Sequence, residues 1–455
     1  MPEQMTLKER RARGTQARTI TPRAAHAEWA PAAGRPDPVA LLVSQEADRE
    51  PDLVPVRHGR MMVSPFTFYR GAAKIMAEDL SDTPTAGLDV QLCGDAHLLN
   101  FGVFGSPERR LVFDLNDFDE TLPGPFEYDV KRMAASFVIC ARDAGLSRAQ
   151  ASDAAMESVA AYRTAMADFA QQRTMDVWYA SLDEDQIKQA LRDLVTERSG
   201  AAKAAKGGAK EEAREAKKAK KAKREGETAK IIDDTEQDET AARRNSASQP
   251  GDKKQAKMAK QAEKRVDAMS AKAHTRDSLQ ALSKLGELVD GQYRIISQPP
   301  VVVPLRDAPA ALLPDDLGHA LRQQFRDYRA TLQPDRRHLL EQFEIVDVAR
   351  KVVGVGSVGT RCFIALLQAR DASDPLFLQV KEATTSVLEG HLPRSRYRQH
   401  GQRVVQGQRL MQAVSDIFLG WTRGVDITRH FYWRQLRDMK GSVDPAGATP
   451  LGLTR

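Results

Sequence analysis

The sequence predicts an α+β protein, on three observations. Strand-like apolar runs gather in two blocks, 88–115 and 345–436. Helical patterns, with apolar residues every three or four positions, flank both blocks. Between the blocks lies Ser199–Ala273, a Lys-, Ala- and Glu-rich stretch nearly devoid of aliphatic and aromatic side chains, which cannot bury a core.

The chain has 455 residues, room for two or three domains. Residues 1–56 are Arg-, Ala- and Pro-rich and read as an arm laid loosely on the surface. Region 57–195 opens with a helix over Phe66–Leu80, carrying Phe68, Ala72, Ile75, Met76 and Leu80 on one stripe. Leu88–Cys93 and Arg110–Leu115 then read as a hairpin around the turn residues Gly102, Gly105, Ser106 and Pro107. Two long helices follow, Tyr128–Ala144 and Arg148–Gln172, the second capped by Ser147. Residues 196–276 form an insertion, disordered or a lone solvated helix. Region 277–340 is a helical bridge, with helices at Leu279–Asp290 and Ala320–Gln333. Region 341–440 is a second α+β domain, with strands at Ile345–Val353, Thr360–Leu367, Leu376–Lys381, Ile417–Thr422 and Phe431–Leu436 and a helix near Gly401–Ser415. A tail, 441–455, ends the chain.

Charge must be located before it is interpreted. The net +6 contains a surplus of +8 in 201–276, where 21 Lys and Arg stand against 13 Asp and Glu, so the rest carries −2. A solvated insertion explains that surplus; a basic arm touching nucleic acid or another anionic partner is the alternative. Cys93, Cys140 and Cys362 are far apart and form no CxxC pair, so neither a disulfide framework nor a thiolate zinc site is expected. The longest apolar runs, Val39–Val43 and Val301–Leu305, are far short of the ~20 residues that cross a bilayer. The basic N-terminus lacks the apolar segment of a secretory signal, and a cytoplasmic location is expected.

Two constellations carry chemistry. In the first, Gly94-Asp95-Ala96-His97-Leu98-Leu99-Asn100 follows an apolar strand. Its Asp-x4-Asn spacing matches the catalytic loop of phosphoryl-transfer enzymes, where Asp orients or deprotonates the acceptor hydroxyl and Asn holds magnesium. Asp117 and Asp119 end the next strand and supply hard oxygen ligands suited to magnesium or manganese. The plainer alternative is that Asp114, Asn116, Asp117, Asp119 and Asp129 cap turns and helices.

The second constellation is Gly354-Val355-Gly356-Ser357-Val358-Gly359, a GxGxxG between two strand-like runs. A dinucleotide site would need a helix directly after the third glycine, and a Walker loop would need Gly-Lys-Ser/Thr; neither is present. The next strand ends in Lys381, placed as a lysine contacting nucleotide phosphates, or else as a snorkelling strand-end lysine. No Asp or Glu occurs in 390–415, so a helical acid to pair with Lys381 is lacking. Gln406, Glu382 and Glu389 are the substitutes nearest in sequence.

The stretches FTFYRG (66–71), GDAHLLNFG (94–102), FDLNDFDETLPGPFEYD (113–129), KVVGVGSVGT (351–360) and RQLRDMKGS (434–442) resemble an uncharacterised bacterial family, domain of unknown function 2252. That family is similar to the aminoglycoside phosphotransferase and protein kinase-like superfamily. The resemblance implies a two-lobed kinase-like fold, circularly permuted because the Asp95–Asp117 segment precedes the glycine loop. It implies Asp95 as base, Asn100 and Asp117 as metal ligands with Asp119 beside them, and Gly354, Gly356, Ser357, Gly359 and Lys381 on phosphates. The expected function is an ATP- and magnesium-dependent phosphotransferase of unknown acceptor. A catalytically degenerate nucleotide-binding scaffold and a nucleotidyl transferase are the alternatives.

Overall fold

A computed structural model describes residues 5–189, 264, 267–268, 270–308, 316–436 and 439–442. The architecture is mixed α and β. Its centre is an antiparallel sheet of β7 (Val302–Pro304), β8 (Glu344–Lys351), β9 (Cys362–Gln368), β10 (Pro375–Ala383), β11 (Gly420–Arg423) and β12 (His430–Gln435), in the order β11-β12-β10-β9-β8-β7. Side chains alternate across a strand with period two. Leu376, Leu378 and Val380 of β10 therefore face one way, into a core shared with Phe325 and Tyr328. Phe377 faces the other, packing with Leu282, Leu285 and Ile364. Gln379 and Lys381 share Phe377's face but lie beyond that apolar cluster, where the strand reaches a polar cleft.

The helices around this sheet correct several sequence expectations. Residues 1–56 are not a loose arm. They contain α1 (Leu7–Ile20), started by a Thr6/Glu9 capping box, and α2 (Pro38–Val43). Leu41 and Leu42 are buried against Met61, Ala72, Ile75 and Val355, the last from the GxGxxG segment. After α3 (Val54–Met61), the helix expected over 66–80 is two helices, α4 (Pro65–Arg70) and α5 (Ala73–Ser81). The break has a local cause. Glycine is a poor helix former, and Arg132 and Arg57 donate to the carbonyls of Tyr69 and Gly71.

The expected hairpin is also re-paired. β1 (Asp89–Leu92) pairs with β4 (Leu122–Pro125), while β2 (Phe101–Gly105) pairs with β3 (Leu111–Leu115) and receives β13 (Gly441–Ser442) on its other edge. Gly102 and Gly105 belong to β2 and not to the turn, and glycine at 102 lets β13 approach, since a Cβ there would collide with the Gly441 carbonyl. The long helices α6 (Glu127–Asp143), α7 (Arg148–Phe169) with its Ser147 cap, and the short α8 (Thr174–Tyr179) follow.

The helix expected over 279–290 stops early. It is α9 (Ser278–Leu285), leading into a hairpin of β5 (Gly286–Val289) and β6 (Gln292–Ile295). Asp290 and Gly291 both have positive φ, the Asp-Gly pattern of a two-residue hairpin turn. Helices α10 (Leu317–Arg329), α11 (Pro334–Leu340) and α12 (His400–Met411) complete the fold.

Residues 183–269 form a unit of their own, in which Lys188 bridges Glu184 at 2.7 Å and Asp267 at 2.8 Å. Most of the expected insertion lies outside the described residues. Among those described, no helix is long and apolar enough to cross a membrane. The three cysteines are buried and unbridged.

Candidate functional site

The site begins with two rungs of the large sheet. Lys381 pairs in register with Tyr432, and Gln379 with Arg434, so four polar side chains share one sheet face. Lys381 is only 3% exposed. A buried ammonium is tolerated only if paired, and its partners come from the loop after β3. Lys381 Nζ lies 2.6 Å from Asp119 Oδ2 and 3.4 Å from Asp117 Oδ1. Burial disfavours the charged lysine, but the two carboxylates outweigh it and hold its pKa well above the usual range. Burial likewise pushes Asp117 upward, yet Lys381 and Arg434 prevail and bring it down to about 2. Tyr432 Oη donates to the other oxygen of Asp119 at 2.6 Å, so each oxygen of that carboxylate carries one contact. Arg434 completes the group by donating to Gln379 Oε1 at 3.1 Å and to the Asn116 carbonyl at 2.9 Å.

The partner of Lys381 is thus neither Gln406 nor a neighbouring glutamate. Glu382, one residue on and across the pleat, accepts from Arg429 at 2.7 Å and pairs with Arg361 at 3.4 Å. Helix α12 contributes Arg403 instead. Its buried guanidinium donates to the carbonyls of Thr121, Asp119 and Thr384 at 2.7, 2.8 and 2.9 Å, tying the acidic loop to the end of β10. Gly407 lets the helix come close enough, since a Cβ there would meet the Thr121 side chain. Glu120, on the same loop, accepts from the Val387 amide at 2.7 Å, and burial raises its pKa to about 7.

The 94–100 loop is held by α6. Asp129, in the first turn of that helix, accepts from the amides of Cys93 at 2.7 Å and Gly94 at 3.0 Å. One turn further, the buried Arg132 pairs through Nη2 with Asp95 Oδ1 at 2.7 Å. Asp95 Oδ2 faces His97 Nε2 at 3.8 Å. His97 is 4% exposed with an unpartnered Nδ1, and burial lowers its pKa to about 4, so the ring is neutral near pH 7. Asn100 donates through Nδ2 to the Asp95 carbonyl, and among the described residues no donor reaches its amide oxygen.

The glycine loop joins β8 to β9 and is braced by residues 49–60. Arg60 Nη1 donates to the Gly354 carbonyl at 2.7 Å, Arg49 Nη1 to the Val358 carbonyl, and the Glu50 amide to the Gly359 carbonyl at 2.7 Å. Gly359 has φ +91°, a conformation that favours glycine, and packs under the Arg49 side chain.

These segments enclose a cleft of about 680 Å³, lined among others by Asp95, Asn100, Asp117, Asp119, Gly354, Gly356 and Ser357. Residues expected on opposite sides of one site therefore meet, although more than 230 positions separate them. Lys381 and Gly359 sit behind the cleft surface. Ser44, Gln45, Asp48, Arg49, Arg70 and Lys74 also line it, so the N-terminal region contributes a wall that its composition did not suggest. Arg403, Tyr432, Arg434 and Arg132 were missed too. Their one sequence signal was polarity inside otherwise apolar strand or helix patterns, as in His430–Gln435.

The fold and cleft define a mixed α/β protein in which an acidic loop, backed by a buried lysine, and a glycine-rich loop share one polar pocket. The chain belongs to a family of uncharacterized proteins conserved in bacteria (DUF2252), whose model matches residues 49–248 and 228–454. No curated protein and no solved structure matches it.

Proposed function

We propose that this protein is an ATP-dependent phosphotransferase acting on a small-molecule hydroxyl, with a circularly permuted kinase-like site. The observation that carries this reading is that Asp117 and Asp119, held from behind by Lys381, line one cleft together with the glycine loop. Phosphoryl transfer asks a protein mainly for positioning and charge neutralisation, and the cleft offers both.

The donor set suits magnesium or manganese. Asp117 is 39% exposed on its side chain and held by Lys381 only through a 3.4 Å contact, so one oxygen is free for an ion. The unengaged amide oxygen of Asn100 is a second donor of the same hard type. Asp119 anchors Lys381 and Tyr432 through one contact on each oxygen and, lining the cleft beside Asp117, is a third oxygen donor for the ion. Among the described residues no group of three His, Cys, Asp or Glu side chains forms a closed metal site; magnesium usually takes only one or two carboxylates, its other ligands being water and phosphate. When bound, such an ion would neutralise charge on the phosphates.

In the reaction, the acceptor oxygen forms a bond to the γ-phosphorus while the bond to the bridging β-oxygen breaks, its electron pair leaving on ADP. Asp95 Oδ2 orients the acceptor hydroxyl and receives its proton. Arg132 occupies only Oδ1, which fixes the carboxylate without blocking that oxygen. Glycine-loop amides bind the nucleotide phosphates, while Lys381, behind the cleft surface, holds Asp117 and Asp119 in place.

A second reading, nucleotide binding without turnover, draws on the Asp95–Arg132 pair, because the arginine already engages the carboxylate that would take the acceptor's proton. Isothermal titration with ATP, with and without magnesium, on wild type, Asp117→Ala and Lys381→Ala tests the proposal. Magnesium-dependent binding lost in both variants supports the site. Binding unaffected by either substitution would sink it.

A further inference from the structure

Arg70 is the last residue of α4 and lines the cleft. Among the described residues, no carboxylate lies within ion-pairing distance of its guanidinium, no oxygen accepts from it, and its Nε is buried without a partner. Two neighbours on the same wall are alike. Arg49 gives Nη1 to a carbonyl and leaves Nε buried and unpartnered, and Lys74 donates to Ser44 Oγ at 2.6 Å. Among the described residues, none of the three has an ion-paired acidic partner.

The mounting of Arg70 is rigid. Arg132 donates to the Tyr69 carbonyl at 2.8 Å, Tyr69 Oη donates to the Arg132 carbonyl at 2.7 Å, and Arg57 donates to the Gly71 carbonyl at 3.1 Å. The Arg70 carbonyl lies against the glycine loop, since a Cβ at Gly356 would come within 2.9 Å of it. Burial lowers the Arg70 pKa, and the charges of Asp95 and Asp117 oppose that shift, so the guanidinium lies in the field of both acidic loops. An unpaired guanidinium in a partly buried setting is destabilising until an anion completes it. Arginine's planar fork suits phosphate oxygens.

We propose that this wall is an anion subsite centred on Arg70, which takes the terminal phosphate of a bound nucleoside triphosphate. The inference rests on the nucleotide reading above. The terminal phosphate, and not an inner one, is assigned from position: the Arg70 backbone packs against Gly356, and Arg70 lines the cleft that Asp95 and Asp117 also line, where the transferred group must face its acceptor. The charge that grows on that group is met by a fixed cation already in place.

The test is isothermal titration of the full chain with ATP and with ADP, both with magnesium, for wild type, Arg70→Ala and Arg70→Lys. Wild type should prefer ATP. Arg70→Ala should lose ATP affinity on the order of 10- to 100-fold, the loss of a charge-assisted contact, with ADP affinity unchanged and the preference gone. Arg70→Lys should fall between them. Retention of the ATP preference in Arg70→Ala overturns the subsite and leaves the nucleotide reading standing, whereas equal loss of ATP and ADP in both variants shows that Arg70 does not select the terminal phosphate. A wild type that binds both nucleotides equally rejects the subsite alone. A wild type that binds neither removes both readings together.

Discussion

Lys381 and Asp119 lie 262 positions apart in the chain and meet in a 2.6 Å ion pair. Around that contact the sheet supplies Tyr432 and Arg434, the loop after β3 supplies Asp117, and α12 supplies the Arg403 clamp. The ammonium is almost wholly out of water while its two acidic partners are partly exposed, with side-chain exposures of 39% for Asp117 and 28% for Asp119.

That asymmetry predicts the effect of removing either side. Lys381→Met should destabilise the fold by about 2–4 kcal/mol, below the upper end for a fully buried pair because water reaches the carboxylates. Asp119→Asn leaves the ammonium buried with a weaker partner and should cost a similar amount. The double variant should cost less than the sum, measured by urea denaturation as a double-mutant cycle; strict additivity would mean that the two residues do not interact.

Arg403 holds three carbonyls that, among the described residues, no other side chain reaches. Arg403→Met should cost about 3 kcal/mol, from orphaned buried acceptors, and weaken ATP binding by displacing Asp119. Arg403→Lys, which cannot span all three carbonyls, should recover only part of the stability. Thermal melts and titration on the same samples check both. Unchanged stability in Arg403→Met would refute the clamp.

Glu120 gives the fold a pH dependence of definite sign. Its pKa is raised from an ordinary 4.5 to about 7, so between those values the folded state holds a proton that the unfolded chain has released. Stability from this group is fully present below about 4.5 and declines as pH rises toward 7. The urea midpoint should therefore fall over that interval, and Glu120→Gln should flatten the decline. An identical slope in the variant would assign the effect elsewhere.

Asp117 contributes in the opposite direction. Its pKa is lowered from 3.8 to about 2, so its contribution is present above 3.8 and is lost as pH falls toward 2. Asp117→Asn should remove that acid-side loss in a circular-dichroism titration.

On the proposed phosphotransferase reading, Asp95→Asn should separate acceptor chemistry from nucleotide binding. The substitution keeps the side chain's shape and should leave ATP affinity within about twofold, while ATP hydrolysis falls on the order of 10²- to 10⁴-fold, the usual worth of a general base. A variant as active as wild type would exclude Asp95 from proton transfer.

The local motifs were legible because their signals are local. GDAHLLN, the Asp117 and Asp119 loop and GVGSVG each combine turn-forming residues with chemistry-bearing side chains inside about ten positions. Long helices at α6 and α7 were legible from periodicity and a Ser147 cap. The 279–290 region was misread although its signal was present, since Asp290-Gly291 marks a hairpin and helical spacing was allowed to run through it. Residues 1–56 were misread because Arg, Ala and Pro composition says nothing about which few apolar side chains, here Leu41 and Leu42, find a partner surface.

By itself the sequence determined the mixed α/β class, the acidic and glycine-rich segments and the family, because these depend on short-range pattern. Only the tertiary structure decided that Lys381 takes Asp119 as its partner, that Arg403 stands where an acid was sought, and that Arg70 and Arg49 wall the cleft. Each of these is a contact between residues distant in the chain, chosen by burial and charge pairing in three dimensions, and no local spacing encodes it.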